Sequence, residues 1–504
     1  MIIFNIIILF AIIAIFLSAE PAQACMTILV GKNASATGEV LVGHNEDAPG
    51  KFLMQTHLVK KSIRNPNTKL KLEPDLAELD LPQEPAKLFW SEARTINQKP
   101  SASAFCDLFV NSNGVSICSN NCAESREDNP ELTDGGIGYG FRRIIAEQAV
   151  NASHAVKVAS QLIEKYGYAS SGRSYAFADK DEIWVMQIVH GKHYAVQKLS
   201  DDEVAVIPNH YTIHEPFKNA PGCSELIDYA KKRNWFDGFE SNFDFAEVYQ
   251  DKNSKFLEKN IYRHVRTLEI LLDKNLDDLL TKKIPFSVKP VKKIDIATLK
   301  KLLRNHFENK TQYNGNSPHF AKPLTVCNGE TLESTIIEFR DNPAGIILRR
   351  ALGEPCLGIY MPWYLGIENL PVGYESMNPD EALKTHFATS ESEFDYSEQS
   401  EKNIWFKINE IQKSVEADYS EKAPKVRAII KSVEDRLERE LSMMNMQIMP
   451  RLETDPENMT AMMEGAVKTW AVSVETGLRH IISEAKIQLP EIKQKFTFDD
   501  TLNA

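Results

Sequence analysis

Cys25 stands directly after Ala22-Gln23-Ala24, at the end of a leader that is apolar from Ile2 to Leu17 apart from Asn5. Glu20, Pro21 and the small Ala22 and Ala24 give the A-x-A cleavage pattern of a secretory signal, so cleavage would make Cys25 the first residue of the mature chain. An N-terminal cysteine carries a nucleophile and a base on one residue. Its α-amine has a pKa of about 8 in model peptides, low enough to be partly uncharged at neutral pH and to accept the thiol proton. The thiolate attacks a carbonyl, the tetrahedral oxyanion collapses to a thioester, and water attacks in turn. Asn side chains and backbone N–H groups aimed at the oxyanion contribute on the order of 3 kcal/mol each.

Two other fates compete for the leader. No Lys or Arg precedes the apolar stretch, but a retained anchor would need roughly 20 apolar residues to span a bilayer, more than this leader supplies. Lipoprotein processing also cuts before a cysteine, and it would lipidate the thiol and often acylate the amine. Against it, Ala22 stands where such signals usually carry Leu, and the strand-like Met26-Thr27-Ile28-Leu29-Val30 begins where a polar tether would run. The expectation is a secreted or periplasmic protein, free of the membrane after cleavage.

The elements that must position Cys25 follow. Met26–Val30 and Val40–Gly43 read as a β-hairpin around a turn-rich 32–38, carrying His44-Asn45-Glu46-Asp47 back toward Cys25. Residues 141–164 read as one helix with a buried stripe through Ile144, Ile145, Ala149, Ala155, Val156, Ala159 and Leu162. Tyr175–Ala178, Ile183–Val189, Tyr194–Val196 and Val204–Ile207 read as successive strands of an antiparallel meander. Residues 258–305 read as mainly helical, 331–367 as strands, and the charged sequence beyond 375 as helical. There Asp455-Pro456 supplies an N-cap and a first-turn proline, and Met459, Met462, Met463, Ala466, Trp470, Val474, Leu478 and Ile481 recur at helical spacing as core.

Composition narrows the class. The chain has 504 residues, 43% hydrophobic and 25% charged, with a net charge of −12; this is ordinary for a globular protein and gives no footprint for nucleic acid. Beside Cys25, the six cysteines Cys106, Cys118, Cys122, Cys223, Cys327 and Cys356 could form three disulfides in an oxidising compartment or stay as buried thiols. Cys118 and Cys122 do not make a zinc site: the spacing is C-x3-C and no second pair or histidine adjoins it. His210 and His214 lack the glutamate of a metalloprotease motif. No metal or cofactor is expected.

Several segments carry a resemblance: Cys25–Lys32, Gly43-His44-Asn45-Glu46-Asp47, Asn113-Gly114-Val115, Gly136-Ile137-Gly138-Tyr139, Tyr166-Gly167-Tyr168 with Ser171-Gly172-Arg173-Ser174, and Asp201–Val204 leading to Pro208-Asn209. Together, over about residues 25–370, they resemble the bacterial dipeptidase and secernin family of cysteine N-terminal-nucleophile hydrolases. The resemblance implies an α+β, four-layer αββα sandwich of antiparallel sheets, and metal-free hydrolysis of short peptides, chiefly dipeptides. By position it makes Cys25 nucleophile and base, Asp47 the carboxylate that holds the α-amine, Asn209 an oxyanion donor, Asn121 or its neighbour Asn120 a second active-site Asn, and Arg263 the site's arginine. His44 stands where the family commonly has Arg or Lys, which puts a pH-dependent cation beside the nucleophile.

Read by themselves, Asp47 before Ala48-Pro49-Gly50 could cap a turn, Asn209 could be a turn residue, and Arg173 could bind a substrate carboxylate or form a surface ion pair. The expected organisation is a signal peptide at 1–24, a catalytic domain at 25–374 and a mainly helical extension at 375–504 that caps the domain or mediates dimerisation. The leading function is a secreted cysteine dipeptidase. Amidohydrolase or acyltransferase action on non-peptide acyl amides is the alternative, decided by whether groups such as Glu46 and Arg173 anchor a free amine and carboxylate. A lipid-anchored binding protein is the alternative of another class.

Overall fold

The computed structural model describes residues 25–489 except 49–51, 60–62, 72–74, 96–102, 122–124, 139, 217–222, 224, 255–256, 309, 312–316 and 375–402. The leader, Cys122 and Tyr139 therefore lie outside the described residues, as does the start of the C-terminal extension.

Strands β1 (Met26–Val30) and β2 (Leu41–Asp47) form the expected hairpin, with β2 running four residues past Gly43. They are central in a seven-stranded antiparallel sheet ordered β13-β12-β1-β2-β14-β15-β16, where β12 is Val204–Ile207, β13 Ser287–Val288, β14 Thr331–Glu338, β15 Ile347–Leu352 and β16 Met361–Tyr364. The second sheet, also of seven antiparallel strands, is ordered β11-β10-β9-β8-β7-β6-β3. It comprises β3 (Phe52–Val59), β6 (Leu88–Thr95), β7 (Ser103–Asn111), β8 (Ser116–Asn121), β9 (Tyr168–Ala178), β10 (Ile183–Gly191) and β11 (Tyr194–Lys198), while β4 (Lys69–Leu70) and β5 (Leu79–Asp80) make a separate ribbon.

The expected meander of four strands is thus three. The chain turns back at Ser200-Asp201-Asp202, and β12 leaves the meander to pair with β1 in the other sheet, Thr27 opposite Ile207. Residues 141–164 form two helices in place of one, α1 (Gly140–Gln148) and α2 (Ala152–Tyr166). Two asparagines explain the break. Asn111 Nδ2 takes the Ala146 and Ala149 carbonyls at 2.9 and 2.8 Å, and Asn151 turns extended to accept the His154 N–H at 2.7 Å, a cap of the kind that contributes about 1 kcal/mol.

Four layers result. Helices α1 and α2 cover the second sheet, where Phe141, Ile144, Ala155, Ala159 and Ile163 pack on Trp90, Phe109, Tyr175, Phe177 and Ile188. After the short helices α3 (Leu226–Lys232) and α4 (Phe245–Tyr249), α5 (Leu257–Leu272) and α6 (Ile296–Leu303) cover the first sheet, with Val265, Leu268, Leu299 and Leu303 against Met26, Ile28 and Val30. The stretch 258–305 is therefore mainly helical as expected, with a 3-10 turn at Asp277–Thr281 and the short strand β13 between its two α-helices. Leu29, Val42, Leu108, Val110, Ala176 and Ile337 fill the space between the sheets. This is the αββα sandwich that the resemblance implies.

Helices α7 (Ile404–Glu416), α8 (Tyr419–Ile448) and α9 (Pro456–Glu484) extend the inter-sheet core past β16, burying Ile408, Ile411, Ile430, Leu437, Met463 and Trp470. Asp455 precedes α9 as expected but makes no side-chain cap; its carboxylate takes the Asn458 side chain at 2.9 Å. No described helix is long and apolar enough to cross a membrane.

Candidate active site

Every residue of β1 and β2 is buried, although His44, Asn45, Glu46 and Asp47 are polar or charged. Polar groups in such a place require partners, and the partners define the site. Strand alternation puts Thr27 with His44, and Cys25 with Glu46, on the face toward the second sheet; Asn45 and Asp47 face the helices. The Cys25 thiol donates to the Asp47 carbonyl at 3.5 Å, receives the Asp47 N–H at 3.4 Å, and lies 3.7 Å from Asp107 Oδ2. The tetrad has returned to Cys25.

His44 is held by a directed chain. Thr27 donates its one hydroxyl hydrogen to Asn120 Oδ1 at 2.6 Å, while Asn120 Nδ2 donates to the Ile207 carbonyl at 3.2 Å. Thr27 Oγ1 must therefore accept from His44 Nδ1, 2.8 Å away. His44 Nε2 then faces Glu46 Oε2 at 3.3 Å, and the same oxygen accepts the Asp107 N–H at 2.7 Å. His44 is thus tied to Thr27 through Nδ1 and set against Glu46 through Nε2.

The field at Cys25 keeps the thiol protonated. Burial pushes its pKa well above the ordinary value, and Glu46, Asp107 and Asp47 push it further. Burial likewise raises Glu46, with Asp107 adding to the effect and His44 opposing it. Asp47 is pushed up to about 7 by burial, against the pull of Arg263, Thr331 and Asn328. Its Oδ2 accepts from Asn328 Nδ2 at 2.9 Å; its buried Oδ1 makes no hydrogen bond among the described residues. Asp107 goes the other way: burial would raise it, but Arg142 and Arg173 outweigh burial and hold it at about 2.

Asn209 and Arg263 complete the enclosure. The pairing of β1 with β12 sets Thr27 opposite Ile207, so the same register carries Asn209 to the flank of Cys25. Asn209 Nδ2 donates to the Asn121 carbonyl at 2.5 Å, and its Oδ1 accepts from Arg263 at 2.7 Å. Asn260 Oδ1 takes the same Arg263 nitrogen at 2.7 Å, and Asn260 Nδ2 donates to the Asn209 carbonyl at 3.0 Å. Asn121 Oδ1 is buried and makes no hydrogen bond among the described residues.

The profile of peptidase family C69 matches residues 24–431, most of the chain. The chain belongs to peptidase family C69. It is 26% identical to a probable dipeptidase B of Lactococcus lactis over 70% of this chain and 76% of that protein. To a probable dipeptidase of Salmonella dublin it is 28% identical over 48% of this chain and 58% of that protein. Among solved structures, a variant of the conjugated bile acid hydrolase from Clostridium perfringens matches with a TM-score of 0.33 and 12% identity, over 65% of this chain and 89% of that one. As a C69 member the chain is a peptide hydrolase.

In this C69 chain Arg173 is buried, not on the surface, and its fork is engaged. It donates to Asp107 Oδ1 at 2.7 Å, to Ser119 Oγ at 3.1 Å and to the Tyr168 hydroxyl at 3.0 Å. Gly172 beside it holds φ +145, and a Cβ there would sit 2.3 Å from the Tyr211 hydroxyl, so only glycine fits. His210 and His214 do not converge: His210 Nε2 meets His264 at 3.2 Å, and His214 pairs with Asp244 at 2.8 Å. Of the disulfide candidates, Cys106, Cys118, Cys223, Cys327 and Cys356 are all free thiols.

Asp107, Arg142, Asn328 and Thr331 escaped the sequence reading. Asp107 left a faint mark as the lone charge in the apolar run Cys106–Val110, and Arg142 as a charge on the buried face of α1. Asn328, followed by Gly329, reads as an ordinary turn; only its Nδ2 on Asp47 gives it a role.

Proposed function

We propose that this C69 peptidase is an exported dipeptidase whose mature chain begins at Cys25 and works through a Cys25 thioester. The observation that carries the reading is the contact of the buried Cys25 thiol with the Asp47 backbone at 3.4–3.5 Å, beside an Asp47 carboxylate whose buried Oδ1 makes no hydrogen bond among the described residues. An α-amine freed at Cys25 supplies both the base for that thiol and the donor for that oxygen. The family profile, which begins at residue 24, leaves the leader outside the matched region and supports a start close to Cys25.

The amine takes the thiol proton, and the sulfur bonds to the substrate carbonyl carbon. Asn209, with one Nδ2 hydrogen on the Asn121 carbonyl, turns the other to the oxyanion, while Arg263 fixes its amide from the Oδ1 side. Collapse breaks the C–N bond as the ammonium returns its proton to the leaving amine. Water, deprotonated by the same amine, then hydrolyses the thioester. Asp107 is neutralised by Arg142 and Arg173, which leaves Glu46, facing Cys25 across the hairpin, as the group to take a substrate's free α-ammonium and so to favour dipeptides over acyl amides. The names of the relatives point the same way.

The test compares chains beginning at Cys25 and at Ala24 on dipeptides, N-acetylated dipeptides and acyl amides. Hydrolysis of free dipeptides by the first form alone is expected. Equal activity from the Ala24 form overturns the terminal mechanism, and preference for acyl amides overturns the substrate class. N-terminal sequencing and intact mass of the exported native protein should show an unmodified Cys25; a lipidated or upstream terminus contradicts export in this form.

A further inference from the structure

Away from Cys25, four other metal-type donors meet in the core. His306 follows α6, His319 lies in the turn Pro318–Phe320, Cys327 immediately precedes Asn328, and Cys356 sits between β15 and β16. His319 Nε2 is 3.1 Å from Cys356 Sγ and 3.6 Å from Cys327 Sγ. One donor atom from each of the four residues lies within 4.8 Å of the other three. Tetrahedral zinc, with nitrogen at about 2.0–2.1 Å and sulfur at about 2.3 Å, sets donor–donor edges of roughly 3.3–3.8 Å. The observed edges need shifts of only a few tenths of an ångström to roughly 1 Å to match.

The surroundings are those of ligands. His319 Nδ1 faces Glu416 Oε1 at 2.5 Å, and His306 Nδ1 faces Glu308 Oε1 at 3.2 Å. A carboxylate on Nδ1 fixes the tautomer and leaves the Nε2 lone pair for a metal. His306 is 1% exposed, and its Nε2 is buried without a hydrogen-bond partner among the described residues. All four residues are buried, so the arrangement offers no open coordination position and no path for substrate.

We propose that His306, His319, Cys327 and Cys356 bind one structural Zn²⁺ ion. Each thiol releases its proton to solvent and each imidazole binds through its neutral nitrogen, giving a Cys2His2 centre of zero net charge. The ion joins three parts of the molecule. Glu416 ends α7, Tyr419 on α8 approaches Cys356 at 3.9 Å, and Cys327 adjoins the Asn328 that holds Asp47. The site thereby ties the C-terminal helices to the turn that orients the carboxylate beside the nucleophile.

The full chain is produced with zinc in the medium, purified without chelators or metal affinity, and its metal content measured. About one zinc per chain is expected, retained in Cys25→Ser and lost in the double variant Cys327→Ser/Cys356→Ser. Should the double variant not fold, cobalt exchange into the unaltered chain gives an independent reading: tetrahedral thiolate coordination shows intense visible bands and a sulfur-to-cobalt charge-transfer band. Zinc below one tenth of an equivalent, a Cys327–Cys356 disulfide in the unreduced peptide map, or cobalt spectra without thiolate bands overturns the proposal.

Discussion

Among the described residues two buried thiol sites stand out, and their neighbours are opposite in kind. Cys25 lies among carboxylates, Glu46, Asp47 and Asp107, which together with burial keep it a thiol. Cys356 lies against the imidazole of His319 and the Tyr419 hydroxyl, with Cys327 beside the same imidazole. Equal burial therefore says little about what a cysteine does. A freed α-amine would add to the first cluster a base carried by the cysteine itself; the second brings together four side chains of the metal-ligating type.

Changes at the first cluster should have the largest effects. Cys25→Ser is expected to lower kcat/KM for dipeptides by on the order of 10⁴-fold or more, with metal content and melting temperature unchanged; steady-state assays and calorimetry check both. Asp47→Asn should cost about 10²–10³-fold, and it also tests the sign of the field. A carboxyl whose folded pKa of about 7 lies above its ordinary 3.8 binds protons more tightly when folded, so its ionisation weakens the fold as pH rises from about 4 to 7. In the form that keeps Ala24, Asp47→Asn should therefore raise stability at pH 8 by on the order of a few kcal/mol and leave it unchanged at pH 3.5, measured by denaturant unfolding. In the form that begins at Cys25, the ammonium already stabilises the carboxylate and the gain should shrink.

Asn209→Ala is expected to lower kcat by about 10²-fold with KM little changed, since its donor acts on the oxyanion. At the second cluster the effect is on stability: Cys356→Ser should lower the melting temperature by several degrees and release the metal, with a smaller loss of activity through the Asn328 turn. A Cys356→Ser protein with unaltered melting temperature and metal content would erase the contrast between the clusters.

The local signals in the sequence were strong where one element decided the outcome. The β1–β2 hairpin, the tetrad after Gly43 and the core stripe of α9 follow from alternation or helical spacing alone. Those signals ended where tertiary contact decides. Asn111 and Asn151, forty residues apart, break the expected helix at 149–151, and β12 joins the first sheet only because β1 offers it an edge. Asp107 reaches Cys25 and Asn328 reaches Asp47 from other strands and turns, and the second thiol cluster draws on residues scattered between 306 and 356 without a C-x-x-C pair to mark it.

The central claim is that a terminal Cys25 performs covalent chemistry. Rapid acid quench of the Cys25-start form during dipeptide turnover, followed by intact mass and peptide mapping, tests it directly. The account predicts an aminoacyl adduct on Cys25 that forms within one turnover and is absent from the form keeping Ala24; dipeptide turnover by the Ala24 form at the same rate, or an adduct on any other residue, would contradict it.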